Sequence, residues 1–330
     1  MTLSLIDKSH AGLTEALHSV PAHAEPKKAL HLLRSKWNVE KTGAGGLASI
    51  LAMLRQSAPD HCLLYLAHHD HEASVVARLG IPSITVNDGV FTDTSIWRPM
   101  SQSSGGLVHH TAVYNARPER SQRHELAGQI PSLLLIFGGS ASADRDDDLE
   151  RIRSILPQAT FANHSIGDGV YKRLEHDVTN RLYNSVSVGL ALSDEDGGMP
   201  SSNGYLAAGL PIVSTEPMDG RGRYYGFPFV QIVKDDPLAI AAAVNELANR
   251  NLDRTRIREA FMQVQDFDRH SVLGALNRAG RALLETETLF NDVTPLVHAM
   301  ARISKMTDDL VKVQNRIARS DPEASASAKA

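Results

Sequence analysis

From Thr111 onward, short apolar runs alternate with segments of helical periodicity, almost without interruption. This alternation is typical of a parallel sheet covered by helices on both faces. The pattern predicts six strands, at residues 112–115, 133–137, 159–162, 186–192, 212–214 and 230–233. It predicts five helices, at residues 122–128, 146–156, 170–184, 202–208 and 237–249. Residues 107–284 are therefore expected to form a doubly wound domain of Rossmann type.

The N-terminal third carries a weaker version of the same pattern. A GAGG cluster at residues 43–46 precedes a helix-like stretch, and strands are clear only at residues 62–67 and 83–86. We therefore predict a separate, abbreviated α/β domain over residues 1–106, to which residues 1–40 contribute in a way that the pattern does not define. A polar stretch, SQSSGG, lies within the linker predicted at about residues 100–110.

Beyond the second domain, apolar residues recur along a predicted C-terminal helix within residues 285–319. Thr294 and Pro295 are a typical N-cap and first helical residue. The apolar stripe consists of Leu296, Met300, Ile303, Met306, Leu310, Val313 and Ile317. Such a stripe either packs on its own chain or forms a coiled coil with a second copy. Residues 320–330 contain no large apolar side chain and are expected to be disordered.

Composition narrows the classes of function. The length of 330 residues and the 42% hydrophobic content suffice for two domains of ordinary size. A formal net charge of −4 does not favour nucleic-acid binding. The single cysteine, Cys62, excludes an intrachain disulfide. No apolar run approaches the roughly 18 residues of a membrane span, and the first residues lack a signal-peptide pattern, so a cytoplasmic protein is expected.

The segment from residue 188 to residue 215 carries the most specific signal. An apolar run ends in Asp194, Glu195 and Asp196, two glycines and a helix start follow, and a second apolar run begins at Pro211. The acidic and glycine residues therefore lie at the carboxyl end of a strand. Open α/β sheets bind ligands at this edge, where side chains and helix N-terminal amides converge.

This layout resembles the donor-binding segment of retaining glycosyltransferases of the GT-B fold, especially those of family 4. The motif of that group is Glu-x7-Glu, followed by a sequence close to GLPVV. In this chain GLPIV occupies residues 209–213, which puts Asp196 at the first motif position and Gly204 at the second. The resemblance implies two Rossmann-like domains facing a cleft, with the nucleotide-sugar donor on the second domain and the acceptor on the first.

The resemblance also implies roles for individual residues. Arg117 and Arg123 would neutralise the departing diphosphate, with Gln122 where the family has Lys. Asp196 would contact sugar hydroxyls as a catalytic carboxylate, and Asn203 would take over part of the ribose contact that Gly204 cannot make. Amides of Gly197, Gly198 and Met199 would meet a phosphate or sugar oxygen. The base would lie near Asn163 and His164.

In the first domain, residues 68–72 read HHDHE, the densest set of acid–base side chains in the chain. The resemblance implies that His68 or His69 points into the cleft as a catalytic residue. A structural or surface role and a metal site are the alternatives, although five consecutive residues cannot all face one ion. Asn87, Asp88 and Gly89 either line the same cleft or form a turn. An interdomain or a donor-loop role is expected for Arg221 and Arg223, in DGRGRYY.

The predicted function is transfer of a sugar from a nucleoside diphosphate to a glycan, lipid-linked or protein acceptor. The resemblance implies retention of configuration without metal or cofactor, in the assembly of surface polysaccharide or glycoconjugate. Nucleic acid is not an expected partner. A peripheral membrane contact and a homodimer through the C-terminal helix stay open. Two other functions are a catalytically weak module that binds nucleotide sugar or serves in assembly, suggested by Gly204 and Gln122, and a nucleotide-sugar epimerase.

Overall fold

The computed structural model describes residues 2–7, 29–34, 44–57, 61–100, 109–137, 146–165, 174–194, 200–217 and 221–284, together with residues 292 and 294. Ten strands in these ranges form two parallel sheets, one of four strands and one of six. The predicted C-terminal helix, most of the linker, and residues 195–199 lie outside the described residues. Among the described helices, none is both long and apolar enough to span a bilayer.

The first sheet contains two strands that the sequence pattern did not reveal. Its order is β1 (Thr2–Asp7), β2 (Ala29–Arg34), β3 (His61–Ala67) and β4 (Ser83–Thr85), with all neighbours parallel. The sequence of β2, ALHLLR, lacks alternation, so its periodicity does not distinguish a buried strand from a helical turn. The helices described beside this sheet are α1 (Ala44–Ser57) and α2 (Asp70–Arg78).

The second sheet confirms the predicted doubly wound arrangement. Its strands are β5 (His110–Asn115), β6 (Leu133–Ile136), β7 (Thr160–Phe161), β8 (Val186–Ala191), β9 (Ile212–Thr215) and β10 (Val230–Val233). They are parallel and lie in the order β10-β9-β8-β5-β6-β7. This is the Rossmann order, in which the chain reverses direction across the sheet between β5 and β8. A ligand of such a sheet binds at the carboxyl ends of those two strands.

Five helices accompany this sheet: α3 (Asp146–Ile155), α4 (Ala162–Ser165), α5 (His176–Asn184), α6 (Pro200–Ala207) and α7 (Pro237–Asn249). The helix predicted over residues 122–128 is replaced by two short 3-10 helices, Arg120–Gln122 and His124–Ala127. Arg123 separates them because its backbone is left-handed, with φ of 50°, which ends a right-handed helix. The helix predicted from residue 170 begins at His176, since Leu174 and Glu175 are not helical.

A 31-residue helix, α8 (Arg254–Leu284), joins the two sheets and was not predicted. Ile257 and Phe261 belong to the core of the second sheet. Val272 and Leu276, further along the same helix, pack with Leu32 and other residues of the first sheet. One helix thus contributes to both cores.

Polar residues in the middle of α8 form hydrogen bonds with loops at the junction between the two sheets. Gln265 Nε2 donates to the carbonyl oxygens of Gly89 and Thr92, at 2.6 and 3.0 Å. Asp268 accepts hydrogen bonds from Arg223 and from the Tyr224 hydroxyl. Arg223 therefore binds the middle of α8 beside Tyr224.

The loop after β4 and the loop after β9 meet at this junction. A Cβ atom on Gly89 would lie 2.2 Å from the ring of Tyr224, so only glycine permits this approach. Because each loop follows the carboxyl end of its strand, the carboxyl ends of the two sheets border the same junction.

Candidate functional site

Asn115, at the end of β5, is held rigidly at the point where the strand order reverses. Its backbone N–H donates to the Tyr205 hydroxyl oxygen at 2.7 Å, and its Nδ2 donates to the Tyr183 hydroxyl oxygen at 2.6 Å. Burial raises the pKa of both tyrosine hydroxyls, so they remain neutral. Tyr205 packs directly on Gly189 of β8, where a Cβ atom would lie 2.4 Å from the ring. The carboxyl end of β5, where the strand order reverses, is therefore held in place by two buried tyrosine side chains.

Arg123 connects the carboxyl ends of three neighbouring strands. Its guanidinium donates to the Leu192 carbonyl oxygen at 2.7 Å and to Thr215 Oγ1 at 2.6 Å. A third bond, of 2.5 Å, joins it to the carboxylate of Asp235 after β10. The structure thus gives this predicted diphosphate ligand a bracing role, which sequence reasoning did not anticipate.

Asp194, which is partly buried, follows the end of β8. Its backbone N–H donates to the Ser121 carbonyl oxygen at 3.2 Å. Its Oδ1 atom is buried and has no hydrogen-bond partner within the described part of the chain. A buried carboxylate oxygen without a donor is uncommon in folded proteins and is a candidate ligand-binding atom. The family motif predicts the main carboxylate role for Asp196, which lies outside the described residues together with Gly197, Gly198 and Met199.

The loop that follows β5 is bonded to the end of β8 and carries Arg117. Gln122 is buried, and its Nε2 donates to Ser193 Oγ at 3.2 Å, which ties the loop to the end of β8. Arg117 pairs with Glu119 at 3.1 Å while 28% of its side chain stays exposed. The ion pair of Arg117 with Glu119 is therefore a weak, solvated one.

The second motif position faces aromatic side chains rather than open space. A Cβ atom on Gly204 would lie 3.3 Å from the Tyr183 ring and 3.6 Å from Trp97. Trp97 stacks on Tyr183, with ring centroids 5.3 Å apart. Asn203 is only 3% exposed, so the ribose contact predicted for it would have to be made by a buried side chain.

Of the two residues predicted near the base, the structure describes the side chain of Asn163 only. Asn163 is fully buried, and its amide accepts from the Phe137 N–H at 2.7 Å and donates to the Phe137 carbonyl oxygen at 3.2 Å. It therefore ties α4 to the end of β6. The side chain of His164 lies outside the described residues.

The residues of the HHDHE cluster, at the carboxyl end of β3, have separate roles. Glu72 is buried, and its carboxylate accepts from the Tyr65 hydroxyl at 2.8 Å and from the His68 N–H at 2.6 Å. His68 Nδ1 lies 3.0 Å from the same carboxylate. Burial raises the pKa of Glu72, but the hydrogen bonds that its carboxylate accepts from His68 and Tyr65 outweigh the effect of burial, so this pKa lies below its ordinary value.

The other members of the cluster serve the start of α2. His69 Nδ1 accepts from the Glu72 N–H at 3.3 Å, which makes His69 the N-cap. Asp70 accepts from the Thr85 hydroxyl at 2.7 Å. Within the described ranges, no group of three or more His, Cys, Asp or Glu side chains is arranged to hold a metal ion.

Residues 87–89 begin a 3-10 helix, Asp88–Phe91, with Asn87 as its N-cap. Asn87 accepts from the Gly89 N–H at 2.8 Å, and Asp88 pairs with Arg34, which is only 2% exposed.

His124 is a buried imidazole beside the candidate site. It is 1% exposed and lies 5.0 Å from the ring of Tyr114 and 5.9 Å from that of Phe137. Neither ring nitrogen has a partner within the described residues. Burial, assisted by the positive charge of Arg151, lowers the pKa of His124 to about 3.

This imidazole predicts a loss of stability in acid. Below the ordinary histidine pKa of about 6.5, His124 is protonated in the unfolded chain, whereas in the folded chain it stays neutral down to about pH 3. The free energy of unfolding therefore decreases as the pH is lowered from about 6.5 to about 3. Between pH 7 and pH 5 the wild type should lose about 2 kcal/mol more than His124→Phe, in which an apolar ring replaces the imidazole. Urea denaturation at both pH values measures the difference. Equal losses in the two proteins would exclude a neutral His124.

No model of a known protein family matches the sequence, and no curated protein matches it in sequence. Solved structures with a similar fold include sucrose-phosphate synthase from Thermosynechococcus elongatus, with a TM-score of 0.53 and 16% identity over 92% of this chain and 73% of that one. Anabaena HepE in complex with UDP and glucose has a TM-score of 0.51 and 13% identity, over 80% of this chain and 77% of HepE. A TarM variant from S. aureus has a TM-score of 0.50 and 9% identity, over 77% of this chain and 55% of TarM. With two Rossmann-like parallel sheets whose carboxyl ends border one junction, the chain has the GT-B fold of these glycosyltransferases.

Proposed function

We propose that this protein transfers a sugar from a nucleoside diphosphate to a hydroxyl-bearing acceptor, with retention of configuration and without a metal ion. The observation that carries the proposal is Asp194 Oδ1, a buried carboxylate oxygen without a described partner, at the reversal point of a Rossmann sheet. The fold supports the same reading. A uridine diphosphate hexose is the first donor to test, since HepE was solved with UDP and glucose.

The proposed donor site uses the carboxyl edge of the second sheet. Asp194, and Asp196 two residues later in the sequence, bind hydroxyls of the donor sugar, since an ionised carboxylate is an acceptor only. Arg117 neutralises the diphosphate as it departs. The amides of Gly197, Gly198 and Met199 bind a phosphate or sugar oxygen, and His164 lies near the base. Arg123 does not contact the donor in this proposal but holds the ends of β8, β9 and β10 in place.

The first sheet supplies the other side of the proposed cleft. His68, at the end of β3, contacts the substrate near the reacting bond, while His69 caps α2. The acceptor approaches from this side and is a glycan, a lipid-linked sugar or a protein. Assembly of a surface polysaccharide or glycoconjugate is the proposed setting.

A second candidate function is a subunit that binds nucleotide sugar without rapid turnover. Gly204 favours it, because the position of the second motif glutamate faces Trp97 and Tyr183. Arg123 favours it too, since three hydrogen bonds already occupy its guanidinium. Binding without release of nucleoside diphosphate would favour this candidate over the enzyme.

A thermal-shift screen of the full-length chain with uridine, guanosine, adenosine and cytidine diphosphate sugars tests the proposal. At a concentration of about 100 times its Kd, a ligand of the folded state stabilises that state by about 2.7 kcal/mol. We expect such a shift with sugars of one base, and release of the nucleoside diphosphate when an acceptor is supplied. An unchanged melting temperature with every donor would overturn both candidate functions.

A further inference from the structure

The Glu72 carboxylate determines which nitrogen of His68 carries the proton. Oε2 of Glu72 accepts from the His68 backbone N–H at 2.6 Å and lies 3.0 Å from Nδ1 of the same residue. Oε1 accepts from the Tyr65 hydroxyl at 2.8 Å. An ionised carboxylate has no proton to donate, so the contact with Nδ1 is a hydrogen bond only when Nδ1 is protonated.

The fixed tautomer leaves Nε2 of His68 as the functional end of the ring. In a neutral imidazole with a proton on Nδ1, Nε2 is an acceptor. The His68 side chain is 12% exposed, whereas that of Glu72 is 4% exposed, so only the histidine is accessible to a ligand. Within the described residues, both of these His68 contacts are made to the Glu72 carboxylate, and neither of them involves Nε2.

His69 has the complementary arrangement and a different task. Its Nδ1 accepts from the Glu72 N–H at 3.3 Å, which requires an unprotonated Nδ1. One glutamate thus accepts from His68 with its side chain and donates to His69 with its backbone. Of the two adjacent histidines, only His68 presents an unprotonated Nε2.

We propose that Glu72 is a positioning residue that holds His68 in the Nδ1–H tautomer, so that Nε2 accepts a hydrogen bond from a substrate hydroxyl. This assignment rests on the proposed function and refines it, because a neutral Nε2 acceptor recognises a hydroxyl group and not an unprotonated phosphate oxygen. A carboxylate behind a histidine fixes the tautomer and ring orientation in the same manner at other catalytic sites. Tyr65 supports the carboxylate from its other oxygen.

The direct test is nitrogen NMR of the full-length chain labelled with ¹⁵N-histidine. The His68 signals are assigned by their loss in His68→Gln. In the neutral imidazole we expect a protonated Nδ1 and an unprotonated Nε2 in the wild type. A protonated Nε2 with a bare Nδ1 would overturn the proposal, and this measurement requires neither a variant of Glu72 nor activity.

Two variants separate positioning from mere packing. Glu72→Gln should give a mixture of tautomers and should lower kcat about 10- to 100-fold, the usual cost of losing a group that orients a histidine, with a smaller change in KM. Tyr65→Phe is the matched control, because it removes one hydrogen bond to Glu72 and leaves both His68 contacts intact. A pure Nδ1–H tautomer in Glu72→Gln would contradict the assignment.

Ligand titration identifies the group that Nε2 meets. UDP alone should leave the Nε2 resonance unchanged, and a UDP-sugar that binds should shift it. An equal shift with UDP alone would show that a phosphate contacts His68 and would refute the hydroxyl assignment. If no nucleotide sugar binds while the Nδ1–H tautomer is present, the proposed function fails and the tautomer assignment stands.

Discussion

Replacement of Arg123 by alanine is expected to destabilise the protein and to abolish detectable donor binding. The side chain connects the Leu192 carbonyl oxygen, Thr215 and Asp235 at the ends of three strands. Leu192 and Thr215 are fully buried, so their polar atoms would lose a donor without gaining water. We expect a loss of about 2–4 kcal/mol in the free energy of unfolding, measured by urea denaturation.

Two further variants test whether the stability loss comes from the buried hydrogen bonds of Arg123 and not from the loss of a surface charge. Asp235→Asn removes one ion pair whose carboxylate is 56% exposed, and should cost less than about 1 kcal/mol. Arg117→Ala should likewise leave stability within about 1 kcal/mol of the wild type, because its pair with Glu119 is solvated, but should reduce turnover strongly. If Arg123→Ala is as stable as Arg117→Ala, the bracing role of Arg123 is wrong.

The second large effect is expected at Gly204. Restoring the glutamate of the family motif with Gly204→Glu would direct a carboxylate toward the rings of Tyr183 and Trp97. A charge buried without a partner costs several kcal/mol, so we expect a loss of about 3–5 kcal/mol in unfolding free energy and no gain in nucleotide affinity.

Gly204→Ala is the control for this substitution. Its Cβ atom would make a tight contact of 3.3 Å with Tyr183, while alanine favours a helix by about 1 kcal/mol relative to glycine. The two effects oppose each other, and the alanine variant should melt within a few degrees of the wild type, as measured by calorimetry. A stable Gly204→Glu protein that binds nucleotide more tightly would show that this position faces the ribose after all.

The second sheet was predictable from the sequence because each of its strands is a short apolar run between turn residues. Strand β10 and helix α7 have the bounds that the pattern predicts, Val230–Val233 and Pro237–Asn249. In α7, Asp236 caps the helix and proline occupies its first turn, so local signals and tertiary structure agree. These elements place the reversal point, and with it the candidate site.

The long helix α8 escaped prediction for a physical reason. The residues of its inner face, spaced by three or four positions, are Ile257, Phe261, Gln265, Asp268, Val272 and Leu276. The two central residues are polar, since they bond to loops at the junction, and they interrupt the apolar stripe by which a buried helix is recognised. The polar residues in the middle of α8 are therefore explained by contacts with segments that are distant in the sequence, which periodicity alone does not reveal.

The roles at the site were less predictable than its location. Sequence alone places Arg123 after β5, but the left-handed backbone that turns its side chain toward β9 and β10 depends on the packed loop. Similarly, the motif alignment gives the carboxylate role to Asp196 and does not single out Asp194. Only the burial of Asp194 Oδ1 in the folded chain makes it the stronger candidate among the described residues.

Calorimetric titration of the full-length chain and of Asp194→Asn with a nucleotide sugar tests the central claim most directly. Because Oδ1 of Asp194 has no described partner, the variant should retain the stability of the wild type. A lost hydrogen bond to a charged group is worth about 1.5–3 kcal/mol, so we predict a donor affinity about 10- to 100-fold weaker than that of the wild type. Equal affinities in the two proteins, or no binding heat from any nucleotide sugar in the wild type, would contradict a donor site at this edge.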